Sequence, residues 1–274
     1  MYSVFLFVFL VLFNISFSEV LVNRTDKVVK GLVRRFLPPN LQFIVDGSEA
    51  VLGEFPHIVS LQMEGQHICA GSLVDMCTVV TAAHCVNKII DPAKLVAVAG
   101  IIDLENGIRK YRQSAQVTWT LPHPDFYEEF WQSDIAVVKL KTSFIRTLHV
   151  DSISLPPSHY EPKGFGRVVG WGATQENKPF SNKLMETILA ILEHDKCVYY
   201  YGDEIDGTVF CAGHLARSED TCQGDSGGPL ICGPYLCGII SAGIGCGKTD
   251  EVGIYTKVSY FTKWIKQYLG TDYL

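Results

Sequence analysis

An excess of positive charge is what this 274-residue chain lacks: 23 Lys and Arg stand against 29 Asp and Glu, a net charge of −6. Binding a phosphate backbone needs clustered cations, so the composition argues against a nucleic-acid partner. Long apolar runs are also missing beyond the first residues, and a membrane-spanning helix needs about 20 apolar residues in a row. No internal repeat stands out. No compact set of Cys/His pairs has the spacing of a zinc site, so no metal is expected. Residues 1–18 carry no charged side chain at all, and residues 19–43 carry no cysteine.

What is present is a packable chain, 47% hydrophobic and 19% charged, with nine cysteines. That composition suits a globular protein, and the cysteines suggest an oxidising compartment. Val4 to Phe13 is an unbroken apolar run followed by the small residues of Ser16-Phe17-Ser18. We read residues 1–18 as a secretion signal; a membrane anchor is the alternative, for which the run is short. Residues 19–43 hold Arg24, Lys27, Lys30, Arg34 and Arg35 against Glu19 and Asp26, and include Pro38-Pro39. This basic strip reads as a removable propeptide, leaving residues 44–274 as the working domain with a net charge of −9. From Ile44 onward, short β-rich runs alternate with Gly- and Pro-bearing turns: His57–Met63, Leu95–Ala99, Ile135–Leu140, Arg167–Val169 and Gly238–Ser241. That pattern predicts a barrel or sandwich. Phe261, Trp264, Ile265, Tyr268 and Leu269 recur at helical spacing and predict a closing amphipathic helix.

Two stretches carry chemistry. Thr81-Ala82-Ala83-His84-Cys85 frames a histidine, and Gly224-Asp225-Ser226-Gly227-Gly228-Pro229 frames a serine. A serine hydroxyl becomes a useful nucleophile when a base takes its proton, and imidazole is the base suited to neutral pH. A third group must hold that imidazole in one tautomer, and Asp134, in Ser133-Asp134-Ile135-Ala136-Val137, is the candidate. The other seven histidines (His57, His67, His123, His149, His159, His194, His214) lack this frame and default to surface or core roles.

With these motifs in the order His, Asp, Ser, the chain from Ile44 to about Gly270 resembles the trypsin-like serine proteases of the chymotrypsin family. The resemblance implies an all-β fold of two six-stranded antiparallel β-barrels with a C-terminal helix. It implies His84, Asp134 and Ser226 as the catalytic triad, with an oxyanion hole from the backbone N–H groups of Gly224 and Ser226. Asp220 would form the floor of the substrate pocket and favour Arg or Lys before the cleaved bond. Thr221, Ser241, Gly243, Gly253 and Tyr255 would line it. Cleavage before Ile44 would free an amine that pairs with Asp225, and activity should fall at alkaline pH as that amine deprotonates, above its reference pKa of about 7.7–8.0. Disulfides Cys69–Cys85, Cys197–Cys211 and Cys222–Cys246 fit by register. The implied partners are protein or peptide substrates, an activating protease and protein protease inhibitors. No cofactor or membrane association is expected, and the expected state is a secreted monomer.

Several positions depart from that family. Phe43 stands where Arg or Lys usually precedes the activation cut, so another enzyme should cleave Phe43–Ile44. Cutting at Arg34-Arg35 would leave eight extra residues ahead of Ile44. Ala242 replaces a common tryptophan and Asp46 a common glycine. Gly166 stands where Cys232 would usually find its partner; Cys232 could instead pair with Cys237 across a hairpin, leaving Cys77 as the odd thiol. Two other readings stay open. One is an active enzyme with chymotrypsin- or elastase-like preference, against which Asp220 speaks. The other is a non-catalytic homologue acting as a binding or regulatory protein, against which the intact triad speaks.

Overall fold

The computed structural model describes residues 48–105, 110–172, 181–202, 205–213, 225–243 and 252–270. Thirteen strands and two α-helices are built from them. The first barrel closes from β2 (Ile58–Met63), β3 (Gln66–Asp75), β4 (Thr78–Thr81), β5 (Leu95–Ala99), β6 (Gln113–Pro122) and β7 (Ala136–Leu140), in the order β2-β3-β4-β7-β6-β5. The second closes from β8 (Phe165–Gly170), β9 (Met185–Ile191), β10 (Val209–Gly213), β11 (Pro229–Cys232), β12 (Tyr235–Gly243) and β13 (Val252–Lys257), in the order β9-β10-β13-β12-β11-β8, with β8 returning to β9. Every ladder in both barrels is antiparallel. The two six-stranded barrels and closing helix are the architecture that the family resemblance implied.

Composition explains the strands. Ile58-Val59-Ser60-Leu61, Leu95-Val96-Ala97-Val98 and Ala136-Val137-Val138 are rich in β-branched residues that pack well on a pleated surface. Val59, Leu61, Leu73, Val79, Leu95, Ala97 and Val138 fill the first barrel at zero exposure. Val168, Leu189, Phe210, Leu230, Ile240 and Tyr255 fill the second. A further cluster holds Phe55, Ile58, Ala70 and Val98 with Val169, Trp171 and Leu184, joining residues of both barrels.

Helix α1 (His194–Tyr201) carries Cys197, which is bonded to Cys211 of β10. Helix α2 (Val258–Ile265) follows β13 directly, and its Val258, Phe261 and Ile265 join the first-barrel core. It is shorter than the spacing predicted, ending at Ile265 before a 3-10 turn over Lys266–Tyr268. Lys139, 4% exposed in β7, explains how that end is held. Its ammonium donates to Thr78 Oγ1 at 3.1 Å and to the Tyr268 carbonyl at 3.3 Å, so a buried cation reaches the carbonyl end of the closing turn.

The cysteine framework follows from the same packing. Cys69–Cys85 joins β3 to the turn that carries His84, and Cys232–Cys237 closes the β11–β12 hairpin. At Gly166, the position without a cysteine for Cys232, the Leu230 side chain lies where a Cβ would stand. Cys77 is a half-buried thiol outside these bridges. Cys222 and Cys246 lie outside the described residues. No helix of the described residues is long and apolar enough to cross a membrane.

Candidate active site

His84 sits in a single 3-10 turn, Ala83–Cys85, at the end of β4. Small residues at Ala82 and Ala83, both fully buried, let this turn lie flat against the barrel end, and the Cys69–Cys85 bridge fixes its far side. Asp134 enters just ahead of β7, after a sharp reversal in which Trp131 and Ser133 both take left-handed backbone (φ 55° and 52°). Non-glycine residues visit that region rarely, so the reversal is locally costly. The surrounding contacts hold it: Ile135 N–H donates to Ser133 O at 2.8 Å, and Thr256 Oγ1 donates to the Asp134 carbonyl at 2.7 Å.

The Asp134 carboxylate is fully buried and accepts three hydrogen bonds. They come from His84 N–H at 2.9 Å, His84 Nδ1 at 2.7 Å and Ser241 Oγ at 2.5 Å. Burying a carboxylate without donors would be costly, and these three donors satisfy its oxygens. Since the carboxylate can only accept, the ring proton resides on Nδ1 and Nε2 keeps its lone pair. The imidazole is 19% exposed at its outer edge, with the Cys85 sulfur 3.7 Å from Nε2 and the Trp131 ring meeting it edge-on at 5.7 Å.

Ser226 arrives from the other barrel. Its carbonyl accepts from Ala70 N–H at 2.9 Å, and Gly227, at φ +77°, presses so close to Thr81 and Ala82 that any Cβ there would strike Thr81 Oγ1 and the Ala70 carbonyl. The serine turn is thus seated on the very segment that leads into His84, which requires glycine at 227. Gly228 N–H donates back to Asp225 O at 2.8 Å, closing the turn. The Asp225 carboxylate points the other way. It accepts from Gly172 N–H at 2.7 Å and lies so close to Gly170 and Gly172 that a side chain at either would collide with it.

Of the residues expected from the sequence to line a substrate pocket, Ser241 and Gly243 fall on β12 and Gly253 and Tyr255 on β13. Gly243 and Gly253 are directly paired across these strands, and Tyr255 is fully buried, stacked on Phe210 at 5.7 Å with its ring under Gly253. Ser241, read from the sequence as a substrate-lining residue, spends its hydroxyl on Asp134. Ala242 pairs with Ile254 across the β12–β13 ladder and packs against the small core cluster that holds Ile254. Ile44, Asp220, Thr221 and Gly224 lie outside the described residues. Cys69, His84 and Cys85 bring three metal-type donor atoms within 4.8 Å, but the two sulfurs are bonded to each other and offer no thiolate, so this set does not fit a metal.

Sequence reasoning missed Trp131 as the aromatic against His84 and Thr256 as the support for the Asp134 backbone. It also missed Lys88, whose ammonium lies 2.6 Å from Glu128 and ties the two loops beside His84. That contact leads the causes holding the Glu128 carboxyl below its usual value, ahead of opposing desolvation.

Two closed antiparallel barrels, with a buried carboxylate–imidazole pair on one and a glycine-framed serine on the other, define the class of chymotrypsin-type serine hydrolases. The Trypsin family model matches residues 44–265, and the chain belongs to that family of serine proteases. It is 37% identical over 83% of its length to transmembrane protease serine 11G of Rattus norvegicus, covering 56% of that protein. It is 36% identical over 81% of its length to trypsin-1 of Astacus astacus, covering 98% of it. Coagulation factor XII of Rattus norvegicus is 35% identical over 92% of the chain, which covers 44% of that protein. The chain therefore spans about half the length, or less, of several relatives it matches.

Proposed function

We propose that the chain is a secreted serine endopeptidase made as a zymogen, cleaving peptide bonds after Arg or Lys. The observation that carries the reading is the 2.7 Å contact of His84 Nδ1 with the buried Asp134 carboxylate, which fixes the tautomer a general base needs. In this reading Ser226 Oγ attacks the scissile carbonyl while His84 Nε2 takes its proton. The negative charge forming on the carbonyl oxygen is met by the N–H groups of Gly224 and Ser226. As that intermediate collapses, the imidazolium gives its proton to the departing amine, leaving an acyl ester on Ser226. Water, deprotonated by the same Nε2, then attacks the ester, and the proton returns to Ser226 Oγ. Asp134 remains ionised throughout and stabilises the imidazolium. Its burial and three donors suit that role.

Residues 1–18 act as the secretion signal and residues 19–43 as the propeptide, so the mature enzyme starts at Ile44. Its new amine pairs with Asp225 and completes the oxyanion hole. Phe43 calls for an activating protease of other specificity, and a purified zymogen should not mature quickly in the presence of its own active form. Asp220, with Thr221 and the glycines at 243 and 253, takes the basic side chain of the substrate. Protein protease inhibitors would bind the same cleft, and the enzyme works as a monomer without a cofactor. Trypsin-1 of Astacus astacus, matched over nearly its full length, supports the preference for basic residues.

The test is a panel of P1-Arg, P1-Phe and P1-Ala peptides offered to protein beginning at Ile44. Cleavage of the Arg peptide alone is the expected result; preference for Phe or Ala would overturn the basic specificity, and no turnover of any peptide would favour a binding homologue. In the same assay Asp220→Ser should lower kcat/KM for the Arg peptide by about 10²–10³-fold, the effect of leaving a buried cation without its partner. Undiminished Arg cleavage by that variant would remove Asp220 from the pocket.

A further inference from the structure

Activation by a freed amine sets a delivery problem: residues 44–47 must place an ammonium against Asp225 rather than leave it in water. The described residues begin one step downstream, with a strap running from Ser48 to Phe55. At its start, β1 (Ser48–Glu49) pairs with β9, with Ser48 opposite Glu186 and Glu49 opposite Met185, and Ala50 N–H donates to Leu184 O at 2.8 Å. On the other side of β9, Val169 faces Glu186 and Gly170 faces Met185. Glu49 and Gly170 thus flank one residue, two strand spacings or about 10 Å apart. Gly170 touches Asp225. From Glu49 back to Ile44 the extended chain reaches at most about 17 Å. The reach suffices with slack, so direction depends on how firmly the strap is anchored.

One guanidinium supplies that anchor at both ends of the strap. Arg167, on β8, donates through Nε to Glu186 Oε2 at 3.0 Å and through Nη2 to the same oxygen; Glu186 Oε1 accepts from Ser48 Oγ at 3.4 Å. Arg167 Nη2 also meets Glu54 Oε1 at 2.5 Å, and its guanidinium lies 4.6 Å from the centre of the Phe55 ring. Glu54 Oε2 in turn accepts from Val51 N–H at 3.2 Å, folding the strap back on itself. Burial pushes the Glu54 carboxyl up, but the bonds from Arg167 and Val51 outweigh it and hold the group below its usual value.

We propose that Arg167 is a positioning residue for the activated state: by clamping Ser48–Phe55 onto β8 and β9 through Glu186, Glu54 and Phe55, it aims the Ile44 amine at Asp225. This rests on the zymogen reading above. The clamp touches neither substrate nor the reacting atoms, and acts only through the position of the new N-terminus.

The experiment uses protein cleaved directly before Ile44 through an engineered site, as wild type, Arg167→Ala, Arg167→Lys and Glu54→Gln. Two quantities are read: the rate at which cyanate carbamylates the Ile44 amine, followed by mass spectrometry, and kcat/KM on a P1-Arg peptide with and without millimolar Ile-Val. That dipeptide offers the same amine and the same two apolar side chains in trans. In wild type the amine should be protected. In Arg167→Ala and Glu54→Gln it should react about tenfold faster, following the population in which the terminus is released. Activity should fall with it and recover with Ile-Val, while Arg167→Lys, which keeps the charge without the fork, should fall between. Glu54→Gln leaves the β8–β9 ladder intact, so its result stands even if Arg167→Ala folds poorly. Protected amines in wild type, Arg167→Ala and Glu54→Gln alike, or lost activity that Ile-Val does not restore, would overturn the clamp alone. A wild-type amine as reactive as a free peptide amine in fully active protein would overturn the activation reading beneath it.

Discussion

Two histidines of the first-barrel region receive opposite treatment. His84 is given a carboxylate on one nitrogen, a neighbouring tryptophan edge and a sliver of solvent on the other side. His57 is entombed at 7% exposure with Phe55 edge-on at 6.3 Å and its Nε2 without a hydrogen-bond partner. Desolvation alone pulls the His57 pKa down from 6.5 to about 4, so that ring is a neutral core element at physiological pH. The same side chain is held in one tautomer, as the proposed base must be, or left as a neutral spacer, according to whether the fold brings it an acceptor. The difference lies in Asp134 and in the elements that pay out donors to it.

The largest expected effect comes from removing the proposed base or the proposed nucleophile. His84→Ala or Ser226→Ala should each lower kcat by about 10⁵–10⁶-fold, and the double variant should lose little more, since the groups act as a unit. Unfolding midpoints should stay close to wild type. Next, Asp134→Asn makes His84 resemble His57 by taking away the anionic acceptor. It should cost about 10⁴-fold in kcat, because the amide can stabilise the wrong tautomer and no longer balances the imidazolium. A smaller step is Ser241→Ala, which withdraws one of three donors from the Asp134 carboxylate. A hydrogen bond to a charged group of this kind accounts for about tenfold in rate, and an unchanged kcat would mean that the 2.5 Å contact serves the fold alone.

His57→Phe sharpens the comparison from the other side, through stability rather than rate. Protons bind the unfolded histidine near pH 6.5 but the folded one only near 4, so stability is fully present above 6.5 and declines as pH falls through this window. The full loss below pH 4 is about 3 kcal/mol. Denaturant titrations at pH 7, 5.5 and 4 should show a shallower decline for His57→Phe than for wild type, with kcat at pH 8 within a few-fold. An equal decline in both would assign the acid sensitivity elsewhere.

The candidate site was legible in sequence where its turns are local. The His84 and Ser226 frames are short, glycine- or alanine-rich and contiguous, and each is dictated by a turn that only small residues can make. The strands were legible where β-branched residues cluster, as in β2, β5 and β7. What escaped depends on pairs far apart in the chain. Ser241 meets Asp134 across 107 positions, so its hydroxyl could not be assigned to the carboxylate rather than to the pocket. Lys139, in Ala136-Val137-Val138-Lys139-Leu140, looks like an outward charge on a strand, yet closure of the barrel and the return of α2 bury it beneath the Tyr268 carbonyl. The left-handed turn at Trp131 and Ser133 has no glycine to announce it, and the burial of Asp134 and the Thr256 bond hold it instead.

The most direct test is stoichiometric labelling with a P1-Arg phosphonate diester, which phosphonylates only a serine activated by a correctly held imidazole. Protein beginning at Ile44 should take up one equivalent, mapped to Ser226, and Asp134→Asn should label slower by orders of magnitude. Label on another residue, or an Asp134→Asn variant that labels at the wild-type rate, would contradict the account.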